Sequence, residues 1–217
     1  MFLGCCTFRF RKSNVQYLSA RSPKDYQLSP LTIKPGAIVF QLKVTLIGTT
    51  PAVWRRFLMP GNIKLEQVHE CIQGGFGWQN CHLHEFEIAG KRYGDPDTAD
   101  GDREIISERG TKSKLKFLDL RVGDKFFYVY DFGDDWRHEI EIEAILPPDP
   151  NGWYPSCIAG ARACPPEDCG GVPGYLRLTR PLAVVGSSLP SFDADRFELK
   201  EAEKGLTSYG LLMMTLS

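Results

Sequence analysis

The sequence predicts an α+β fold: a largely antiparallel sheet with one packed amphipathic helix, a long Pro/Gly/Cys-rich covering loop and a short C-terminal helix. Three observations carry that prediction. Residues 128–143, YVYDFGDDWRHEIEIE, alternate aromatic or β-branched residues with polar ones on both sides of a Gly-Asp-Asp turn, which is a β-hairpin pattern. Residues 39–47 alternate again, with Phe40, Leu42, Val44 and Leu46 on one face and Gln41, Lys43 and Thr45 on the other. Between them Leu65, Val68, Ile72 and Phe76 recur at helical spacing, predicting an amphipathic helix over 64–75 that Gly74, Gly75 and Gly77 bring to an end.

In chain order, residues 1–37 form a basic arm: Arg9, Arg11, Lys12, Arg21 and Lys24 precede any acid. Disorder, a transit-like peptide and translation from an upstream start all fit it, and disorder is the expectation. A single domain is expected over 38–206, followed by a tail over 207–217. After the first strand, Gly48 to Pro51 turns the chain and residues 53–59 return as a second strand. Residues 82–88 alternate with His82, His84, Phe86 and Ile88 on one face. Residues 91–112, rich in Asp, read as a solvated loop. Residues 115–120 are apolar and pack on the sheet, and Val122-Gly123-Asp124 turns into the central hairpin. There a three-residue loop sets Phe132 opposite Trp136, Tyr130 opposite His138, Asp131 opposite Arg137 and Lys125 opposite Glu143. Residues 147–174 hold seven prolines and five glycines, so they read as an irregular covering loop pinned by aromatic and cysteine contacts. A helical turn at Tyr175, stopped by Pro181, and a helix over 195–204 with Asp195 and Glu198 at capping-box spacing complete the chain.

Composition narrows the function classes. A net charge of −1 gives no overall attraction to nucleic acid or anionic membrane. No apolar run reaches the length of a membrane span. Seven cysteines are an odd number, and the first twenty residues lack an uninterrupted apolar stretch, so a reducing, cytoplasmic setting with thiols is expected in place of a disulfide framework. Phosphate-loop, dinucleotide, nucleophile-elbow, EF-hand and helical zincin patterns are all missing from the sequence.

Several motifs occur in a fixed order: FQLKVTLIGTTPAVWRR, Gly77-Trp78 followed by HLHEF, Arg92-Tyr93-Gly94, YDFGDDWRHEIEIE, and CPPEDCGG with Gly174-Tyr175. In this order they resemble the plasmid pRiA4b ORF-3-like family, found in bacteria and archaea and often on plasmids and mobile elements. The resemblance covers about residues 38–206 and implies an α+β domain with a largely antiparallel sheet, without implying a particular chemistry. The chain departs from the family at its ends: residues 1–37 are extra, Arg177, Arg180 and Pro181 interrupt the usual acidic helix, and the tail after Leu206 differs.

Four constellations are candidates for chemistry. His82, His84 and His138 all fall on apolar strand faces, and with Asp131, Asp134, Asp135, Glu167 or Asp168 they form a candidate set for zinc or another divalent metal, and for hydrolysis. The plainer reading is core histidines satisfied by hydrogen bonds. Cys157, Cys164 and Cys169 in one loop are a candidate structural zinc site, although the C-x-x-C knuckle is missing; the plainer reading is three small buried thiols. In Pro165-Pro166-Glu167-Asp168, the carboxylates serve acid–base work if a histidine lies near, or else Asp168 caps a turn and Glu167 pairs with Arg55 or Arg56. Arg55, Arg56 and Arg177 with Trp54 and Trp78 are candidate nucleic-acid contacts, weighed against tryptophans that simply fill the core.

These residues support three function classes. The first is a plasmid- or mobile-element-associated binding or accessory module contacting protein or nucleic acid, with no membrane role. The second is a metal-dependent hydrolase or nuclease-like enzyme. The third is a structural-zinc domain.

Overall fold

Alternation in the sequence becomes strand, and helical spacing becomes helix, over most of the chain. The computed structural model describes residues 36–98, 104–179 and 192–209. Its strands are β1 (Val39–Leu46), β2 (Trp54–Pro60), β3 (His84–Ile88), β4 (Lys91–Gly94), β5 (Ile105–Ser107), β6 (Lys125–Tyr130), β7 (Trp136–Leu146) and β8 (Ser156–Ala161). The helices among the described residues are α1 (Leu65–Phe76), α2 (Gly171–Leu178) and α3 (Leu199–Ser208). The strands form one open sheet in the order β5-β4-β3-β6-β7-β1-β2-β8. All neighbours are antiparallel except β4 and β5. This is a single α+β domain. No helix among the described residues is long and apolar enough to cross a membrane.

One face of the sheet carries the core. Phe40, Leu42, Val44, Leu46, Phe57, Phe86, Phe126, Tyr128, Tyr130, Trp136, Ile140 and Ile142 are all buried, as period-two alternation requires. α1 buries Leu65, Val68, Cys71, Ile72 and Phe76 against the same core. Its first turn is closed by the Gln67 side chain, which accepts the Lys64 N–H at 3.1 Å. Gly77 ends it at φ 83°, donating its N–H to Gln73 O at 2.8 Å, and so aims Trp78 back into the core. α3 crosses α1 at two glycines. A Cβ on Gly205 would lie 2.0 Å from the Gly74 carbonyl oxygen, so this crossing excludes any side chain.

Several expectations are corrected. The β6–β7 loop has five residues, 131–135, so Tyr130 faces Trp136, Tyr128 faces His138, Phe126 faces Ile140 and Lys125 faces Glu141. Asp131 and Asp135 adopt left-handed φ of 54° each, and Asp131 Oδ1 accepts the N–H groups of Gly133 and Asp134. The loop thus withdraws Asp131 and Phe132 from the strand, and Phe132 is exposed. The shift is two residues, so the side chains that remain in the strands keep their expected faces while their partners change. Arg137 pairs with Asp135, and Lys125 pairs with Glu139.

Residues 91–112 contribute β4 and β5 as well as loop. His82 precedes β3 and lies outside it. The covering loop contains β8, which pairs with β2 at the sheet edge. α3 begins at Leu199 behind Glu198, with no side-chain cap, so the Asp195–Glu198 capping box does not form. Arg180, Pro181 and the expected disorder of residues 1–35 lie outside the described residues.

Candidate metal centre

Three loops meet where β3 begins and β6 ends. The first, residues 78–83, follows α1; the second is the β6–β7 loop; the third, residues 164–170, runs from β8 to α2. Asp131 N–H donates to Leu83 O at 2.9 Å and ties the first loop to the second. Gly170 N–H donates to Asp134 Oδ2 at 3.0 Å and ties the third to the second.

His82 stands at this junction. Its Nε2 lies 3.2 Å from Asp168 Oδ1, 3.6 Å from Asp131 Oδ2 and 3.6 Å from Glu167 Oε2. That nitrogen is shut off from solvent and makes no hydrogen bond: the Asp131 and Glu167 oxygens are too far, and only Asp168 is within hydrogen-bonding distance. Four donors around one centre at metal distances of about 2.1 Å are separated by about 3.4 Å when tetrahedral. The His82–Asp168 and His82–Asp131 distances match that edge length, and the ligand oxygens of Asp131 and Asp168 lie within 4.8 Å of each other; Glu167 stands beside this trio.

The fold aims these groups one by one. Asp131 spends Oδ1 on the Gly133 and Asp134 N–H groups, which leaves Oδ2 for His82. Glu167 Oε1 accepts the Gln79 N–H at 2.7 Å and the Tyr130 hydroxyl at 3.1 Å, which directs Oε2 inward. Tyr130 accepts the Cys81 N–H at 3.0 Å, so one phenol orients both Glu167 and the segment carrying His82. Burial, with Glu167 adding to it, holds that phenol well above its ordinary pKa, so it stays a donor. Asp168 sits at φ 54°, before Gly170 at φ 89°, and its carboxylate is largely open to water. Outer groups that fix ligand orientation are a general feature of metal sites.

The other sequence candidates fall elsewhere. His84 is on β3; its Nε2 is 2.8 Å from Oε2 of the buried Glu108. Its ring stacks on that of His69 at 3.4 Å, with the planes 3° apart. Burial, and then the neighbouring His84, hold His69 well below the usual imidazole range. The neutral His69 accepts from Tyr128 OH at 2.7 Å and donates to Asn80 Oδ1 at 2.8 Å, while Gln73 donates to the same hydroxyl. His138 is fully buried among Phe76, Trp78 and Tyr128, and burial lowers its pKa to about 3. The three imidazoles therefore do not share one site. Among the described residues, the grouping of three or more metal-ligating residue types with ligand atoms mutually within 4.8 Å is His82, Asp131 and Asp168.

Cys157, Cys164 and Cys169 form no such grouping. Burial raises all three thiols, Cys157 to about 11. Asp134 and Asp135 belong to the loop scaffold: Asp134 Oδ2 accepts Gly170 N–H and Asp135 pairs with Arg137. Arg55 is buried between Phe76 and Phe197 and donates to the carbonyls of Trp54, Gly75, Ala161 and Arg162, a structural post with no face for phosphate. Arg56 pairs with Glu143 on the opposite face and lies over Trp54. Arg177 is in the last turn of α2. Trp78 is a core residue.

The fold and this junction define an α+β domain with a loop-built histidine–carboxylate cluster at one end of an open sheet. Residues 38–199 match the family model described as plasmid pRiA4b ORF-3-like protein, and the chain belongs to that family. It is 40% identical over 147 residues to "Uncharacterized protein y4hQ" of Sinorhizobium fredii, covering 68% of this chain and 74% of that protein. It is also similar to the crystal structure of a protein of unknown function, MM3350, from Methanosarcina mazei. That match has a TM-score of 0.66 and 32% identity, and covers 76% of this chain and 96% of that one.

Proposed function

We propose that the protein is a divalent-cation-binding accessory module, with His82, Asp131 and Asp168 as the ligands and Glu167 beside them. The observation that supports it is the unpartnered Nε2 of His82 facing three carboxylate oxygens at 3.2–3.6 Å. One imidazole with two carboxylates and a position open to water suits zinc or manganese. The bound ion offsets the mutual repulsion of the carboxylates and joins three loops that otherwise meet through a few hydrogen bonds. The macromolecule it serves is a protein, because two of the three arginines expected to contact nucleic acid are already engaged, Arg55 inside the domain and Arg56 with Glu143. A cytoplasmic location accords with its thiols.

A second reading, a metal-dependent hydrolase, is favoured by one feature. Asp168 opens to solvent, so the ion has a side on which water can be bound and activated.

Titration calorimetry on the untagged full chain with Zn²⁺ and Mn²⁺ tests the proposal. The expected result is one ion bound, with affinity falling at least about 100-fold in His82→Ala. A Cys157→Ala/Cys164→Ala variant, binding as the wild type does, separates this site from thiol binding. Absence of binding at millimolar ion, or equal affinity in His82→Ala, overturns it. The hydrolase reading stands only if the loaded wild type, and not His82→Ala, cleaves a panel of phosphodiesters and esters.

A further inference from the structure

We propose that residues 165–170 are a cation-controlled strap over the Trp78–Tyr130 aromatic pair; this rests on the cation-site reading above. The strap is fixed at both ends. Upstream, β8 is paired with β2, and downstream α2 buries Tyr175. Its upstream anchor is strengthened by Arg55 donating to Arg162 O, Ala163 N–H donating to Ala194 O and the Tyr175 hydroxyl donating to Ala163 O, whereas from Pro165 to Gly170 the segment meets the neighbouring loops through four hydrogen bonds. Trp78 Nε1–H donates to Pro165 O at 2.9 Å, Gln79 N–H and the Tyr130 hydroxyl donate to Glu167, and Gly170 N–H donates to Asp134 Oδ2. The left-handed residues Asp168 and Gly170 give it its turns.

Beneath it lie two large rings. Trp78 stacks on Tyr130 at 5.1 Å and on Phe76 at 5.4 Å, and both members of the pair are buried. Lifting the strap exposes them while the sheet and α1 stay intact.

The charges give the strap two states. Closing it brings Glu167 and Asp168 against Asp131, three carboxylates around one imidazole nitrogen. Without a cation that repulsion opposes the four hydrogen bonds; with one, it becomes attraction. The ion therefore acts on the position of the strap, and through it on the exposure of Trp78 and Tyr130.

The indole N–H of Trp78 reports the strap directly, because its acceptor is Pro165. The experiment is hydrogen exchange of that proton by ¹⁵N NMR in the full chain, assigned with Trp78→Phe, with and without Zn²⁺, beside calorimetry on the same samples. Zinc is expected to slow the exchange at least about tenfold in the wild type and to leave it unchanged in His82→Ala. Asp168→Asn, exposed and compatible with the left-handed backbone, removes one repelling charge. It is expected to slow the exchange without zinc and to reduce the further effect of zinc. Zinc binding measured by heat with unchanged indole exchange refutes the strap and leaves the cation site standing. Absence of binding removes both. Slowing that persists in His82→Ala assigns the effect to another zinc site and also refutes the strap.

Discussion

Replacing His138 by Phe should flatten the acid limb of the stability curve. His138 is fully buried, its ring among Phe76, Trp78 and Tyr128, and neither ring nitrogen makes a hydrogen bond. Burial lowers its pKa from 6.5 to about 3. The folded protein keeps the ring neutral, while the unfolded chain takes up a proton below about 6.5. Stability linked to His138 is therefore complete above that pH and is lost progressively as the pH falls towards 3. For those two values the loss is about 2 kcal/mol at pH 5 and about 3 kcal/mol at pH 4. Phe fills nearly the same space and binds no proton. Urea unfolding of wild type and His138→Phe from pH 7.5 to 4 should give a constant difference above pH 7, moving in favour of the variant by about 2 kcal/mol at pH 5. His69 is also held neutral, but it is present in both proteins and cancels in the comparison. Parallel curves down to pH 4 would falsify the assignment of a proton-free imidazole to this position.

Two further predictions concern how the core is closed. Gly205→Ala places a methyl 2.0 Å from the Gly74 carbonyl oxygen, so α3 must lift from α1; the expected cost is about 2–4 kcal/mol, read from thermal unfolding. Normal stability would mean that the two helices do not cross at these glycines. His84→Ala leaves the buried Glu108 carboxylate without its 2.8 Å partner and should cost about 3–5 kcal/mol, whereas the double variant with Glu108→Gln should recover part of that loss. Without such recovery, the His84–Glu108 pairing is not the source of the cost.

The fold was largely legible because most of its elements announce themselves locally. β1, β2 and α1 appear where alternation and helical spacing place them, and Gly77 stops α1 as its αL conformation allows. What escaped was held by distant partners. β5 has three residues and pairs with β4 across an Asp-rich stretch that looks solvated. β8, SCIAGA, lacks a strong strand pattern and exists because β2 offers it an edge. The hairpin register failed through Asp131, whose side chain bonds Gly133 and Asp134 and lengthens the turn. Since the error was even, the predicted core face survived while every cross-strand partner was wrong.

The candidate site shows a sharper limit. Its ligands were all named in the sequence, yet the grouping that the alternation suggested was a different one: His82, His84 and His138 on one sheet face. Face arithmetic holds within a strand, and His82 is two residues before β3 begins. Its ring is placed instead by Tyr130, which accepts the Cys81 N–H and donates to Glu167, a contact spanning 37 residues that no local pattern contains. The same holds for Glu108, read as loop and found inside the domain as the partner of His84. The informative signal was therefore the conflict within CPPEDCGG: two carboxylates beside prolines and glycines, in a segment too irregular to hold its shape by backbone pairing alone. Such a segment needs outside fixing, and its carboxylates point to what supplies it. In this domain that is a lone imidazole and the hydroxyl of a core tyrosine.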